Sequence, residues 1–259
     1  EKPNVSSILA TLKVFTKQKD LQKGILIHDE LLKTGLIEHN IYVGTQFITF
    51  YARCGELAAA QQVLEELPIR NVVTWSTLIA GYTQLGECRE ALNYFEQMLS
   101  EGLCPDVITF IFMLKACGNM MAIGKGKKIH ASIVSSGLLE KDIVLGTALV
   151  DMYSKCGQIG KAREVFEKLT IRNAIVWTTL IAGYVEHEHS EKALECFEQM
   201  QREHIHPDAF TFVLCLKACG NIGCIRKGKT FHAKIVEGGS LMKDCLFDTA
   251  LMDMYAKCG

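Results

Sequence analysis

Thiols and imidazoles are the side chains of this sequence with the most obvious potential for metal binding or nucleophilic chemistry. The chain has 11 cysteines and 8 histidines. Zinc sites favour cysteine pairs separated by two residues, and the sequence contains no such pair. Three cysteines recur at one equivalent position, just before a glycine: Cys54, Cys156 and Cys258. This pattern favours small buried packing residues in a reducing compartment over metal ligands or disulfides.

The histidines also recur at a fixed spacing, which favours a structural role over ligation. His28, His130 and His232 lie 102 residues apart. His187 and His189 resemble half of a metal motif, but no further ligand completes it, so a solvated helix end is favoured. No paired acids and no nucleophile beside a base are evident. The sequence therefore predicts no metal, no cofactor and no catalytic site.

The elements that position these residues are internal repeats. TWSTLIAGY at residues 74–82 returns as VWTTLIAGY at residues 176–184, and KACGN at residues 115–119 returns at residues 217–221. Each of these offsets is 102 residues. The sequence is therefore expected to form a repeat array, in which each unit packs only against its neighbours.

Hydrophobic periodicity and helix-stop signals divide the chain into helical hairpins. The repeats are 36 residues long at 5–40, 107–142 and 209–244, 31 long at 41–71 and 143–173, and 35 long at 72–106 and 174–208, with an eighth at 245–259.

One hairpin cannot bury both of its faces, so the hairpins must stack. We predict an all-α fold, a single array forming a superhelical solenoid, whose hand the periodicity leaves open. Tetratricopeptide repeats of about 34 residues are the alternative. The alternating repeat lengths and the absence of the tetratricopeptide pattern of Trp, Leu-Gly and Tyr argue against it.

Three segments carry a specific family resemblance: WSTLIAGY with EALNYFEQMLSEGLCPD, TFIFMLKACGNMMAIGKGKKIHASIVSSGLLEKD, and VLGTALVDMYSKCGQIGKAREVFEKLTIRN. They resemble the standard, long and short repeats of the pentatricopeptide repeat (PPR) family, specifically its plant PLS subclass. The resemblance implies a right-handed superhelix that binds single-stranded RNA, one base per repeat, in a plant mitochondrion or chloroplast, with the mitochondrion favoured. Relatives of this subclass usually specify a cytidine for C-to-U RNA editing. Since the deaminase elements that some carry are missing, we expect a reader and not an editor.

The resemblance implies that the fifth and last residues of each repeat read one base. Those pairs are Thr45 with Asn71, Ser76 with Asp106, Thr147 with Asn173, and Thr178 with Asp208, and Thr249 begins an eighth pair. A short hydroxyl leaves room for a purine. Asn can donate to adenine N1 and accept from N6, whereas Asp can only accept, which suits guanine N1–H and N2–H₂. The alternative is that Asn and Asp simply cap the next helix.

The long repeats are expected to discriminate weakly because their fifth residues are aliphatic. Their pairs are Leu9 with Asn40, Ile111 with Asp142, and Val213 with Asp244. With the 5′ end at the N-terminal repeats, as the resemblance implies, the predicted RNA is 5′-NAGNAGN(A/G)-3′.

The resemblance also implies that the second residue of each repeat sandwiches a base. These residues are Tyr42, Val73, Ile108, Val144, Ile175, Phe210 and Leu246. The alternative for them is ordinary core packing.

Charge alone does not indicate RNA binding, since the net charge is −1 and the pI about 6.8. The repeats differ, however: 107–142 carries +3 and 209–244 carries +4, whereas 72–106 carries −4 and 174–208 carries −5. Arg53, Lys155 and Lys257 occupy the thirteenth position of the short repeats, where the resemblance implies phosphate contact. A solvated face is the alternative. Few phosphates would be neutralised, so we expect modest, salt-sensitive affinity.

We therefore interpret the chain as the RNA-recognition segment of an organellar editing factor. Its expected partners are single-stranded RNA and, in editing, other editing-factor proteins. We expect a monomer. We also expect no membrane-spanning segment, since no apolar run approaches about 18 residues. The alternative function is a protein-interaction scaffold built on the same helical array.

Overall fold

The computed structural model describes residues 5–139, 142–237 and 245–259, and every regular element in these ranges is helical. The helices are α1 (Val5–Gln18), α2 (Leu21–Lys33), α3 (Leu36–His39), α4 (Ile41–Cys54), α5 (Leu57–Glu66), α6 (Val72–Gln84), α7 (Cys88–Ser100), α8 (Val107–Asn119), α9 (Ile123–Ser135), α10 (Ile143–Lys155), α11 (Ile159–Lys168), α12 (Ala174–Glu186), α13 (Ser190–Arg202), α14 (Ala209–Asn221), α15 (Ile225–Glu237) and α16 (Cys245–Cys258). The predicted all-α, helical-repeat fold is confirmed.

Helix starts coincide with the first residues of the repeats assigned from the sequence. Helices α4, α6, α8, α10, α12 and α14 each follow an Asn or Asp whose side chain accepts a backbone N–H of the first turn. These capping residues are Asn40, Asn71, Asp106, Asp142, Asn173 and Asp208. Such a cap stabilises a helix by about 1 kcal/mol because it satisfies an otherwise unpaired donor. These residues therefore do cap helices, and their base-reading role stays a prediction.

The chain forms two compact units, Glu1–Met120 and Met121–Gly259. In the first unit, α4 packs against α1, α5 and α6, and the core includes Phe47, Phe50 and Leu78, each fully buried. In the second unit, α12 packs against α10, α13 and α14, around Trp177 and Phe166, whose ring centroids are 4.5 Å apart. Burying each such side chain contributes about 1.5–3 kcal/mol. The assignment of the chain to one continuous array stays a prediction.

The recurring histidines bind tyrosines of the short repeats. His28 Nδ1 lies 2.8 Å from the Tyr51 hydroxyl, and the same pair recurs between His130 and Tyr153 at 2.8 Å. His232 and Tyr255 form the third pair at 3.0 Å. These histidines therefore join the second helix of a long repeat to the first helix of the following short repeat.

Some turns have a glycine in one repeat and another residue in the equivalent repeat, which affects stability, and the turn after α12 is one example. Gly86 follows α6 with φ 89°, in the left-handed region that glycine adopts freely. The equivalent residue 102 positions later is Glu188, with φ 62°. A side chain in this region costs about 1–2 kcal/mol, so the turn after α12 is strained where the turn after α6 is not.

We expect Glu188→Gly to raise the free energy of unfolding by about 0.5–1 kcal/mol. Relief of about 1–2 kcal/mol of strain is partly offset by about 0.4–1 kcal/mol of added unfolded-state entropy. Thermal denaturation followed by circular dichroism provides the measurement. Gly86→Glu is the matched control and should lower the melting temperature. A lower melting temperature for Glu188→Gly would contradict this account of the turn.

Acid should destabilise the fold through His28 and His130. Burial lowers the pKa of both histidines, although Glu66 and Asp29 partly oppose the shift at His28, and Lys168 and Lys161 reinforce it at His130. The unfolded chain then binds protons more readily than the folded one, so this contribution to stability is present above about pH 6.5 and is lost as the pH falls below it.

The melting temperature should therefore fall between pH 7 and pH 5. A His28→Gln/His130→Gln double variant keeps polar groups near Tyr51 and Tyr153 but cannot titrate in this range. We expect it to show a flatter pH dependence than the original chain. Equal slopes for the two proteins would show that these histidines are not responsible.

Candidate nucleic-acid interface

The first unit contains a cavity that collects one predicted base-reading pair. It has a volume of about 250 Å³ and lies among α4, α6 and the start of α8. Ser76 and Asp106 line it together with Val73 and Ile108, the second residues of two successive repeats, and Arg53. The Ser76 hydroxyl lies 3.3 Å from Asp106 Oδ1. The cavity thus combines polar groups with an apolar residue from each of two helix starts.

The second unit contains an equivalent cavity of about 350 Å³ among α10, α12 and the start of α14. Thr178, Asp208, Ile175 and Phe210 line it, each 102 positions after its counterpart in the first cavity. At Gly183 the helices α10 and α12 approach so closely that an added Cβ would lie 2.5 Å from a side-chain oxygen of α10. Any other residue at position 183, which lines this cavity, would therefore displace Ser154.

Six of the predicted base-stacking residues are exposed and do not belong to the core. Their exposed fractions are Tyr42 51%, Val73 55%, Ile108 56%, Val144 57%, Ile175 63% and Phe210 50%. The core-packing alternative is therefore wrong for them. Four of them, Val73, Ile108, Ile175 and Phe210, line the two cavities, and their exposed apolar surface there is available to a planar ligand. Their stacking role stays a prediction.

The aspartates that line the cavities use one carboxylate oxygen for capping. Asp106 Oδ1 accepts the Thr109 backbone N–H at 2.8 Å and its hydroxyl at 2.6 Å. Asp208 Oδ1 accepts the same two groups of Thr211 at 2.8 and 2.6 Å. Among the described residues, no hydrogen bond involves either Oδ2. A carboxylate has capacity at both oxygens, so capping leaves an acceptor at each cavity.

The asparagines use the equivalent oxygen and leave a donor instead. Asn71 Oδ1 accepts the Thr74 N–H at 3.0 Å, and Asn173 Oδ1 accepts the Val176 N–H at 3.0 Å. An amide with its oxygen engaged in a cap retains its NH₂ group. Capping therefore does not compete with base reading, and it determines which polar atom each residue presents.

The hydroxyls of the short repeats are held by their own helices. Thr45 donates to the Ile41 carbonyl at 2.7 Å, and Thr147 donates to the Ile143 carbonyl at 2.8 Å. Within the described ranges, no hydrogen bond joins either hydroxyl to the asparagine predicted to act with it. Both oxygens keep lone pairs that can accept.

The long repeats differ in backbone geometry as well as in side chains. Asn40 and Asp142 have ψ 93° and 106° and cap both the second and third residues of the next helix. The four capping residues of the other repeats have ψ between 175° and 177° and accept from the third residue only. The last residues of the first two long repeats are thus held in another orientation. The aliphatic fifth residues differ in burial, with Leu9 buried and Ile111 and Val213 partly exposed.

Two predicted positions of the last repeats lie outside what the structure describes. Asp244 is not among the described residues, and the same holds for the side chain of Leu246. Thr249 lies in α16, and the role predicted for it stays a prediction.

The three predicted phosphate contacts differ in their ion pairing. Lys155 Nζ lies 2.8 Å from Asp151 Oδ2, and Lys257 Nζ lies 2.8 Å from Asp253 Oδ2. Arg53 is exposed, lines the first cavity and has no ion pair to any described residue. Exposed ion pairs contribute only about 0–1 kcal/mol to stability. Each lysine can therefore leave its aspartate and contact a phosphate instead.

The other reactive side chains are the cysteines and histidines of the described ranges. No cluster of three metal-ligating side chains occurs there. Burial raises the pKa of the Cys196 thiol to about 11 and that of Cys219 to about 12, so these thiols are poor nucleophiles near neutral pH. His187 Nε2 lies 2.6 Å from the Ser154 carbonyl, which is a structural contact.

Sequence reasoning missed the buried threonines at the third residue of α8 and α14. Thr109 and Thr211 each link a capping aspartate to the fifth-residue hydroxyl of the preceding repeat. The sequence signal that could have found them is an Asp followed three positions later by a Thr, which is typical of side-chain capping at a helix start.

Comparisons with known families place this architecture among repeat proteins. The PPR repeat family matches residues 70–119 and 172–221, and the PPR repeat matches residues 147–173. A mitochondrial pentatricopeptide repeat-containing protein of Arabidopsis thaliana is 37% identical over 92% of this chain, which covers 42% of that relative. A chloroplastic one from the same plant is 33% identical over 99% of the chain, covering 41% of the relative. The chain thus spans less than half the length of these two relatives.

Among solved structures, the crystal structure of PPR10 in complex with an 18-nt psaJ RNA element matches with a TM-score of 0.72. The match covers 100% of this chain and 36% of that chain at 16% identity, a likeness of fold alone. None of the described helices is long and apolar enough to cross a membrane.

Proposed function

This chain belongs to the pentatricopeptide repeat family, and we propose that it binds single-stranded RNA and reads its sequence. Each standard or short repeat reads one purine through its fifth and last residues. The long repeats act mainly as spacers. The site read from the 5′ end is NAGNAGN(A/G).

The observation that carries this proposal is the pair of equivalent cavities. Each one gathers a short hydroxyl, a carboxylate and two exposed apolar side chains from successive helix starts. A base inserted between Ile175 and Phe210 would bury their apolar surface and place its polar edge near Thr178 and Asp208. Stacking and edge recognition together are how repeat proteins read unpaired bases.

The wider role is proposed from the family and from the repeat pattern. The alternation of 36-, 31- and 35-residue repeats supports the PLS subclass, and with it recognition of a C-to-U editing site. The relatives named as mitochondrial or chloroplastic support a plant organelle. We propose that the chain acts as a monomeric reader, without catalysis of its own, and that an editing role would involve further proteins.

Asp208→Asn should shift the preference at the sixth base from guanine towards adenine. Asn caps a helix about as well as Asp, so the fold is retained while an acceptor at the cavity becomes a donor. A mismatched base leaves a buried polar group unpaired, at about 1–3 kcal/mol. The measurement is fluorescence anisotropy with the full chain and RNAs that differ only in having G or A at the sixth base.

Two matched variants make this test specific. Asp106→Asn should move the preference at the third base and leave the sixth unchanged, because its cavity is the equivalent one. Ile111→Val should change neither preference. If the original chain and Asp208→Asn prefer the same base, the Asp or Asn side chain acts only as a cap, and the protein-scaffold function gains support.

Arg53→Gln should reduce the salt dependence of RNA binding more than Lys155→Gln. Each phosphate neutralised on single-stranded nucleic acid contributes about 0.7 to the slope of log affinity against log salt. Arg53 lacks an acidic partner among the described residues, whereas Lys155 must first leave Asp151. Titrations over a range of potassium chloride concentrations measure both slopes. A larger decrease in this slope for Lys155→Gln than for Arg53→Gln would contradict the ranking.

A further inference from the structure

Two buried threonines connect the polar groups of each cavity into a hydrogen-bonded chain. Thr109 and Thr211 are both fully buried. The Thr211 hydroxyl donates to Asp208 Oδ1 at 2.6 Å and lies 2.7 Å from the Thr178 hydroxyl. Thr109 makes the equivalent contacts with Asp106 and Ser76. Neither threonine is at a position to which a base contact has been assigned above.

The carboxylate fixes the direction of every hydrogen bond in this chain. An ionised Asp208 can only accept, so the Thr211 hydrogen must point to it. The Thr211 oxygen then accepts the hydrogen of Thr178, since a hydroxyl has only one hydrogen to donate. Thr178 therefore directs its hydrogen away from the cavity and can offer a base only its lone pairs. Asp208 Oδ2 is also an acceptor.

We propose that Thr211 and Thr109 are positioning residues that make the hydroxyl and carboxylate of each reading pair accept hydrogen bonds only, and that this polarity selects guanine. The inference rests on the RNA-binding function proposed above. Guanine is the one base of RNA whose Watson–Crick edge carries two adjacent donors, N1–H and N2–H₂. Adenine and cytosine place a donor beside an acceptor, and uracil has one donor between two acceptors. A hydroxyl–aspartate pair that offers two acceptors and no donor therefore suits guanine alone.

The asparagine pairs lack this arrangement, which is consistent with the selectivity proposed for them. The third residue after Asn173 is Val176, which has no hydroxyl. The third residue after Asn71 is Thr74, whose hydroxyl donates to the Asn71 backbone carbonyl and not to its side chain. Thr147 donates within its own helix, while the Asn173 amide retains its NH₂ group. These groups supply one acceptor and one donor, and that combination matches the edge of adenine.

The two threonines should differ in importance. Ser76 has further acceptors within reach, the Val72 carbonyl at 2.6 Å and Asp106 Oδ1 at 3.3 Å, and so depends less on Thr109 for its orientation. Among the described residues, the Thr178 hydroxyl bonds only to Thr211. Loss of the Thr211 hydroxyl therefore frees Thr178 to turn its hydrogen towards the base, where it can pair with the N1 acceptor of adenine.

The test compares Thr211→Val, Thr211→Ser and Thr109→Val in the full chain. The readout is the ratio of affinities for RNAs with G or A at the sixth base, and the same ratio at the third base. We expect Thr211→Val to lower the G-to-A ratio at the sixth base about fivefold, the effect of one net hydrogen bond, and to leave the third base unchanged. Thr211→Ser should restore the ratio, and Thr109→Val should have a smaller effect at the third base.

The outcomes separate this inference from the function on which it rests. If the original chain shows no preference for G at the sixth base, the proposed reading function fails. If it prefers G and Thr211→Val keeps the full ratio, or weakens G and A equally, Thr211 is only a packing residue and the inference is overturned. Failure of Thr211→Ser to restore the ratio would also overturn it.

Discussion

A side-chain oxygen at the end of one repeat accepts a backbone N–H from the first turn of the next, and the rest of each repeat depends on this hydrogen bond. It determines where the helix begins, and therefore which face each later residue occupies. The second and fifth residues of a helix lie on adjacent positions of one face, three residues apart. In α6 these are Val73 and Ser76, which line the same cavity. The cap thus aligns the apolar and polar surfaces of a candidate site with the same bond that starts the helix.

The fold could be predicted from the sequence because its main determinants are local. Hydrophobic periodicity, together with Asn or Asp before each apolar stretch, marked the helix starts. The exposure of Val73 or Phe210 could not be predicted from residue type, since an apolar side chain at a helix start is compatible with burial. This exposure was expected only because the family resemblance implies that these side chains contact a base. The strained turn at Glu188 cannot be recognised from residue type, because the residue with the left-handed backbone there is not a glycine.

The hydrogen-bond network of the site was beyond sequence reasoning for a different reason. A threonine in a helix can donate to its own backbone, as Thr45 does, or to a neighbouring helix start, as Thr211 does. The two hydrogen bonds compete with each other, and tertiary packing decides between them. The lysine pairs with Asp151 and Asp253 are different, since acid and base four residues apart on a helix are expected to meet. Because two of the three proposed phosphate contacts are paired in this way, binding would depend more on the cavities than on charge.

The overlap between cap and cavity has a consequence for how such a chain can change over time. Asn and Asp are close to interchangeable as helix caps, yet they present opposite polarity to a ligand once the capping oxygen is engaged. If these residues read bases as proposed, a single substitution at Asn173 or Asp208 alters what is recognised with little effect on whether the chain folds. Ordinarily a change in a binding site must be tolerated by the scaffold that carries it. Here the scaffold is indifferent to the choice, so binding preference can drift while stability is conserved.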